Sequence, residues 1–307
     1  MINKIKKLII KQNLDGYIVP KNDKFFTEYS KISNLELVSS FSGSAGFAII
    51  LKNKNYLFVD GRYTIQAKKQ SGKNFKILEI PFFLPKNIFK SNKNRLNIGF
   101  DPKLFTYNAL KYYFSNTCNL FPINENIFET TINHDLYKDK FYNLDKNITG
   151  ESSKSKINRV IKILNKKRID YLFVTAGENV CWLMNIRGKD LPNSPIANCN
   201  IILTKDKKIL FFSKPKKISK IKNKIFDQKI FFYDEEKFFE VLRSLKEGSF
   251  CIDGKTCSVF NEEIIKSKFM IKDRTDLIYY LKSIKNKTEI NNMKKAHIED
   301  GVALTKF

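Results

Sequence analysis

Apolar positions in the first 135 residues alternate between two periods. Ile2, Ile5, Leu8 and Ile9 recur at helical spacing and predict a first helix over 3–13. Asp15-Gly16 then turns the chain into a strand, Tyr17-Ile18-Val19, closed by Pro20. The segment Phe25–Tyr29 reads as helical, and the apolar pair Leu37-Val38 precedes a Ser/Gly cluster from Ser39 to Gly46. Two β-rich runs follow, Phe47–Leu51 and Tyr56–Val59. The polar residues Lys52-Asn53-Lys54-Asn55 join them, which predicts a hairpin. A helix starts over Arg62–Gln70, a short strand over Leu96–Phe100 ends at Asp101-Pro102, and Tyr107–Phe114 is helical.

A polar stretch from Asn133 to Ser155 predicts a linker, after which the pattern begins again. Residues 154–167 read as a helix, and Asp170 leads into the strand Tyr171–Val174. Glu178–Asn185 and an Arg187-Gly188 turn come next, then a hairpin of Ile201–Leu203 and Ile209–Phe212. Asp170 lies 155 residues after Asp15, and the second hairpin strand lies 153 after its counterpart. The same element order at nearly the same offset predicts a divergent duplication. The expected fold class is therefore α/β, with two similar domains that are each a mixed sheet flanked by helices. The second domain continues through Phe231-Phe232-Tyr233, a helix over Glu235–Leu245 and a strand Phe250–Ile252, and ends near Leu281. A final helix is expected from Thr288 as N-cap, with Glu289 in its first turn. Its apolar stripe, Ile290, Met293, Ala296 or His297, and Leu304, runs to Phe307 without a stop signal. A stripe without a partner points to truncation. The expected layout is domain I over 1–135, a linker over 136–155, domain II over 156–281, and a linker and entry helix over 282–307.

Composition narrows the function classes. Of 307 residues 42% are hydrophobic, enough to bury two cores. No apolar run approaches a membrane span, and the N-terminus lacks the apolar stretch and small-residue site of a signal peptide, so a cytoplasmic protein with no membrane contact is expected. The net charge is +25, but only seven of the 56 basic residues are arginine. The lysines are spread along the chain, whereas specific nucleic-acid readers favour arginine forks. Dispersed solvated lysine is the better account, and a nucleic-acid partner is not expected. Cys118, Cys181, Cys199, Cys251 and Cys257 form no CxxC pair and are expected to be reduced core thiols. His134 and His297 are the only histidines. His297 with Asp300 one turn on is a weak metal pair, and two ligands cannot build a hydrolytic metal site. Gly43-Ser44-Ala45-Gly46 lacks the ending of a phosphate-binding loop and reads as a tight turn needing positive φ. Trp182 is expected to pack in the second domain's core or against a further domain.

Three stretches, in order and in register, resemble the three-domain cytosolic Xaa-Pro aminopeptidases (aminopeptidase P). The first is Phe41-Ser42-Gly43-Ser44-Ala45-Gly46 with Asp60-Gly61-Arg62-Tyr63 beyond the hairpin. The second runs from Trp182 through Asn185-Ile186-Arg187-Gly188 to Pro195. The third runs from Leu281 through Lys287-Thr288-Glu289-Ile290 to His297 and Leu304. The resemblance implies two creatinase-type N-terminal domains of ribonuclease H-like fold. A pita-bread catalytic domain would follow, removing the residue that precedes proline at the second position of a peptide. It implies two Mn²⁺ ions in the full-length enzyme and dimerisation through that catalytic domain. Every metal ligand would lie beyond Phe307, so no catalytic or metal residue carries over, no cofactor is expected on this chain, and the chain alone is expected to be inactive. Arg62 carries over as a substrate-binding residue. The duplicate has Ser213-Lys214-Pro215 where the first copy has Asp60-Gly61-Arg62, so the shared scaffold does not require the arginine. The alternative for Arg62 is a structural ion pair with Asp60 or a contact with a helix C-terminus. The rival functions for the whole chain are a stand-alone, catalytically inactive binding module and a charge-driven nucleic-acid binder.

Overall fold

The computed structural model describes residues 1–27, 29–30, 33–90, 94–125, 127–128, 139–222 and 229–307. They form two compact units. One comprises Met1–Leu136 with Gly254–Glu263, the other Tyr137–Asp253 with Ile264–Phe307.

Unit 1 begins with a helix, Ile2–Lys11 (α1), which buries Ile5, Leu8 and Ile9. The strands Gly16–Pro20 (β1), Gly46–Leu51 (β2), Asn55–Asp60 (β3), Lys76–Ile80 (β4), Asn97–Phe100 (β5) and Asn119–Pro122 (β6) form one sheet in the order β4-β3-β2-β1-β5-β6. Its helices are Asn34–Ser39 (α2), Thr64–Ser71 (α3), Pro85–Phe89 (α4) and Tyr107–Phe114 (α5). Strand residues alternate between two buried faces. Tyr17, Val19, Ala48, Ile50, Leu57 and Val59 pack under α1 and α2, while Ile18, Phe47, Ile49, Tyr56 and Phe58 join the core with α5.

Unit 2 repeats the plan. Tyr142–Asn143 (β7), Lys146–Thr149 (α6) and Ser153–Lys166 (α7) lead into Tyr171–Val174 (β8), and Gly177–Met184 (α8) precedes Ile186–Arg187 (β9). Asn200–Thr204 (β10), Lys208–Phe212 (β11), Lys229–Tyr233 (β12), Ser249–Ile252 (β13) and Met270–Asp273 (β14) complete a sheet in the order β12-β11-β10-β8-β13-β14. Its remaining helices are Phe238–Ser244 (α9), Leu277–Ser283 (α11) and Lys287–Lys306 (α12), while Val259–Lys266 (α10) belongs to unit 1 as far as Glu263. Each sheet has two antiparallel pairs around its hairpin and three parallel pairs outside it.

The duplication reaches individual bonds. Helices α1 and α7 end alike: Asn13 and Arg168 take φ of 51° and 52°, and the next amide, Leu14 or Ile169, donates back to Ile9 or Leu164 at 2.9 Å. Asp15 accepts from the Asn97 amide at 2.9 Å and from the Lys52 ammonium at 3.1 Å. Asp170 accepts from the Ser249 amide at 2.8 Å and from the Lys205 ammonium at 2.6 Å. Each aspartate also donates its own amide to the partner's carbonyl, at 2.7 Å in unit 1 and 3.1 Å in unit 2. Hydrogen bonds therefore hold both carboxyls below the usual range. The Asn97 amide is the chief cause for Asp15 and the Lys205 ammonium for Asp170.

Several local expectations change. Residues 24–25 form a turn and not a helix, because the Asp23 carboxylate accepts from the amides of Phe25 at 2.9 Å and Thr27 at 3.1 Å; residue 28 lies outside the described residues. Leu37 and Val38 lie in α2, whose start is set by Ser33 accepting from the Glu36 amide. Arg187 belongs to β9, which pairs with β7, so it is not in a turn. Within the polar stretch expected as a linker, the described residues include β7, α6 and the start of α7. The last helix is capped by Asn286, two residues before the expected cap Thr288. That side chain accepts from the Glu289 amide at 3.0 Å while Glu289 accepts from the Asn286 amide at 2.9 Å.

Asp170→Asn should lower the unfolding free energy of unit 2 by ~1–2 kcal/mol at neutral pH, because one amide oxygen cannot serve both donors. The single tryptophan, Trp182, lies in that unit and reports its unfolding in urea. A depressed folded pKa gives stabilisation that is present above the unfolded value of about 4 and is lost as the pH falls through the folded one. The gap between wild type and variant should therefore close in acid; a gap of the same size at low pH would refute the assignment.

Candidate functional site

The end of β3 carries the residue singled out from sequence. Asp60 accepts from the Arg62 amide at 2.9 Å and so caps a 3-10 turn, Gly61–Tyr63. The same carboxylate accepts from the Arg62 guanidinium, from Nε at 3.1 Å and from Nη2 at 2.5 Å. The bond to Arg62 is the main reason the Asp60 carboxyl lies below its usual range. The guanidinium also sits 5.2 Å from the centre of the Tyr63 ring. The ion pair with Asp60, foreseen as the structural alternative, thus exists. It orients the guanidinium while 71% of the side chain stays exposed. A planar, pre-oriented guanidinium is suited to a carbonyl or carboxylate arriving from solvent.

The neighbouring loop is tied down from α3. Tyr63 Oη and Ser44 Oγ are 2.8 Å apart. The Ser42 amide donates to Gln70 Oε1 at 3.0 Å, and Gln66 and Gln70 both donate to Ser42 Oγ at 2.9 Å. The two loop glycines have separate reasons. Gly46 has φ of +151°, and a Cβ there would lie 2.5 Å from the Phe58 carbonyl. Gly43 does not have positive φ; a Cβ at Gly43 would lie 2.2 Å from the Phe41 ring. In unit 2 the corresponding Ser213 is buried and donates to the Asn198 carbonyl at 3.3 Å.

A second polar cluster, unforeseen from sequence, lies in unit 2. Lys156 of α7 is only 1% exposed. Its ammonium donates to the Trp182 carbonyl at 2.9 Å and to Asn185 Oδ1 at 2.8 Å, and it lies 4.3 Å from the centre of the Trp182 ring. Burial pulls the Lys156 pKa down to about 8, against the carboxylates of Glu289 and Glu151. Asn185 donates onward to the Glu151 carbonyl at 2.8 Å, and the Glu151 carboxylate pairs with Arg159 at 2.6 Å. The Trp182 indole N–H donates to Glu289 Oε1 at 3.0 Å. One sequence signal was available: Lys156 falls on the apolar stripe of α7 beside Ile157, Val160 and Leu164. A further buried pair joins Asp190 and Lys217, and Asp190 also accepts from the Asn198 amide at 2.7 Å. Arg187 donates to the carbonyls of Cys181 and Ile186, a backbone-bracing role.

His297 is exposed, with Nδ1 2.8 Å from the Met293 carbonyl oxygen, and His134 lies outside the described residues. Among the described residues, no group of three or more His, Cys, Asp or Glu side chains is placed to hold a metal ion, so no metal chemistry is assigned to them. All five cysteines are buried and unpaired in disulfides, and burial raises the thiols of Cys118 to about 12 and of Cys181 and Cys251 to about 11. Among the described residues, no helix is long and apolar enough to cross a membrane.

Known proteins are similar to this chain along its whole length. A probable Xaa-Pro aminopeptidase P of Laccaria bicolor is 28% identical over 99% of the chain and 50% of its own length. Xaa-Pro aminopeptidase 1 of Dictyostelium discoideum is 29% identical over 100% of the chain and 52% of its own length. The chain therefore spans about half the length of these curated relatives. The crystal structure of X-prolyl aminopeptidase from Caenorhabditis elegans, described as a cytosolic enzyme with a di-nuclear active site, matches in fold. Its TM-score is 0.88 at 22% identity, over 99% of this chain and 54% of that one. Models of the creatinase/prolidase N-terminal domain match residues 1–129 and again residues 134–289. With one such domain matched on each six-stranded sheet, the chain belongs to the creatinase/prolidase N-terminal domain family.

Proposed function

We propose that this chain is the N-terminal, non-catalytic part of a metal-dependent Xaa-Pro aminopeptidase, and that it shapes the access of peptides to a hydrolytic centre outside these 307 residues. The observation that carries this reading is the match of 99–100% of the chain to Xaa-Pro aminopeptidases roughly twice as long. Domain I over 1–135 and domain II over 156–281 would form the substrate-gating portion, joined by residues 136–155, and residues 282–307 would lead to the catalytic domain. The peptide has proline at its second position. The metal ions, two Mn²⁺ on the family resemblance, would be bound in the catalytic domain, which would also carry any dimer contact. The expected location is the cytoplasm.

Arg62 is the proposed peptide contact of this portion. Its guanidinium is exposed, braced by Asp60 and Tyr63, and absent from the second copy. A charge-assisted hydrogen bond to a peptide carbonyl or carboxylate contributes ~1.5–3 kcal/mol, about 10–100-fold in binding.

Two measurements test the reading. Purified 1–307 with Mn²⁺ should release no N-terminal residue from an Xaa-Pro peptide; metal-dependent turnover by it would refute the assignment. In the longer protein, Arg62→Ala should raise KM for an Xaa-Pro tripeptide by about 10–100-fold, and Arg62→Lys by less. The stability of unit 1 should move by no more than ~1 kcal/mol, because the ion pair is exposed. An unchanged KM would remove Arg62 from the substrate site.

A further inference from the structure

Helix α12 is 20 residues long and has no buried residue. Apolar packing therefore does not fix its direction within unit 2. Among the described residues, the side-chain bonds that join it to the rest of the unit all lie near its start. Asn286 donates to the Thr149 carbonyl at 2.9 Å, Asn292 donates to the Ile148 carbonyl at 3.0 Å, and Glu289 accepts from the Trp182 indole at 3.0 Å. The approach at this point is close. Gly150, at the end of α6 with φ of +73°, would place a Cβ 2.3 Å from Asn286 Oδ1.

The three bonds differ in what they hold on to. Two reach backbone carbonyls of α6, a four-residue helix in which Thr149 is buried and the other three residues are exposed. The third reaches Trp182, which is 8% exposed, lies in the core cluster of unit 2 and has its ring beside the buried Lys156 ammonium. Among these three bonds, this is the one that ties α12 to a side chain and not to a backbone carbonyl. Beyond Asn292 the helix continues for another 14 residues, to Lys306. At 1.5 Å per residue that is a lever of about 21 Å, so a tilt of about 10° at the root moves the tip by about 4 Å.

We propose that Trp182 is a positioning residue: its bond to Glu289 sets the direction in which α12 leaves unit 2. On the reading above, which this inference extends, α12 leads to the hydrolytic centre, and its direction sets how the substrate-gating part meets that centre. Misplacement of a contacting group by about 1 Å costs up to about 100-fold in rate, so a swing of several ångströms at the tip would be felt in catalysis.

The test is a distance measurement between spin labels at Glu299→Cys in α12 and Lys162→Cys in α7, both exposed, while the five native cysteines are buried. The parent chain should give one narrow distribution. Trp182→Phe, which keeps a ring and removes the donor, should at least double its width. Glu289→Gln, whose one accepting oxygen can serve the indole or the Asn286 amide but not both, should broaden it by no more than Trp182→Phe does. If Trp182→Phe does not fold, Glu289→Ala replaces it, with the same broadening expected. A narrow distribution in the donor- or acceptor-deleted variant would overturn the proposal. In the longer protein, Trp182→Phe should also lower kcat/KM for an Xaa-Pro peptide by about tenfold or more; broadening with unchanged kcat/KM would overturn the link to catalysis. A longer protein that cleaves no Xaa-Pro peptide would refute the function reading and leave the distance result standing.

Discussion

Each sheet depends on one aspartate between its first helix and its first strand. Asp15 and Asp170 join three stretches of chain that are far apart in sequence: the helix–strand turn, the hairpin turn carrying Lys52 or Lys205, and the start of the central parallel strand at Asn97 or Ser249. The paired amides and carbonyls at this point align β1 with β5 and β8 with β13. Register matters because both faces of each sheet are buried. A slip of one residue would exchange the two faces, moving Tyr17 and Val19 to the side of Ile18. The ion pairs with Lys52 and Lys205 are exposed and screened by solvent, while the backbone donors meet the carboxylate at the ends of interior strands.

The sequence pattern revealed this architecture where periodicity was strong. Helices α1 and α7, the two hairpins and the offset near 155 all follow from apolar spacing and turn residues. Strands β4 and β6 escaped because they are edge strands with mixed polarity, and Lys76 and Asn119 are exposed. The turn at 24–25 looked helical because its aromatic residues mimic an apolar stripe, while the deciding atom was the Asp23 carboxylate. The cap of α12 was off by two residues because Thr288 and Asn286 are both capping types. Only the reciprocal bonds of Asn286 and Glu289 distinguish them.

The candidate site was legible for a different reason. A duplicated scaffold is its own control: a residue present in one copy and absent from the other is not needed by the fold. The family resemblance pointed to Arg62, and the contrast with Pro215 added that the shared scaffold does not require it. The contrast could not find Lys156, although the first copy has Met1 at the matching offset, because a charge on an apolar stripe has to be seen among its acceptors before it can be told from a boundary residue. The two copies have thus diverged in complementary ways. The first exposes a braced cation at a strand end, and the second buries a cation beneath its only indole.

That buried cation bears on how a polar contact can steer a helix. Lys156, itself held by Asn185, donates to the Trp182 carbonyl and lies against its ring, so the indole N–H has little rotational freedom when it meets Glu289. A hydrogen bond loses value when the donor must first be ordered, and here burial in the core has already ordered it. Glu289 is ordered as well, since its other oxygen closes the cap of α12. A bond between two groups that are both fixed by other contacts transmits direction as well as attachment. An apolar patch of the same size would hold the helix but let it slide.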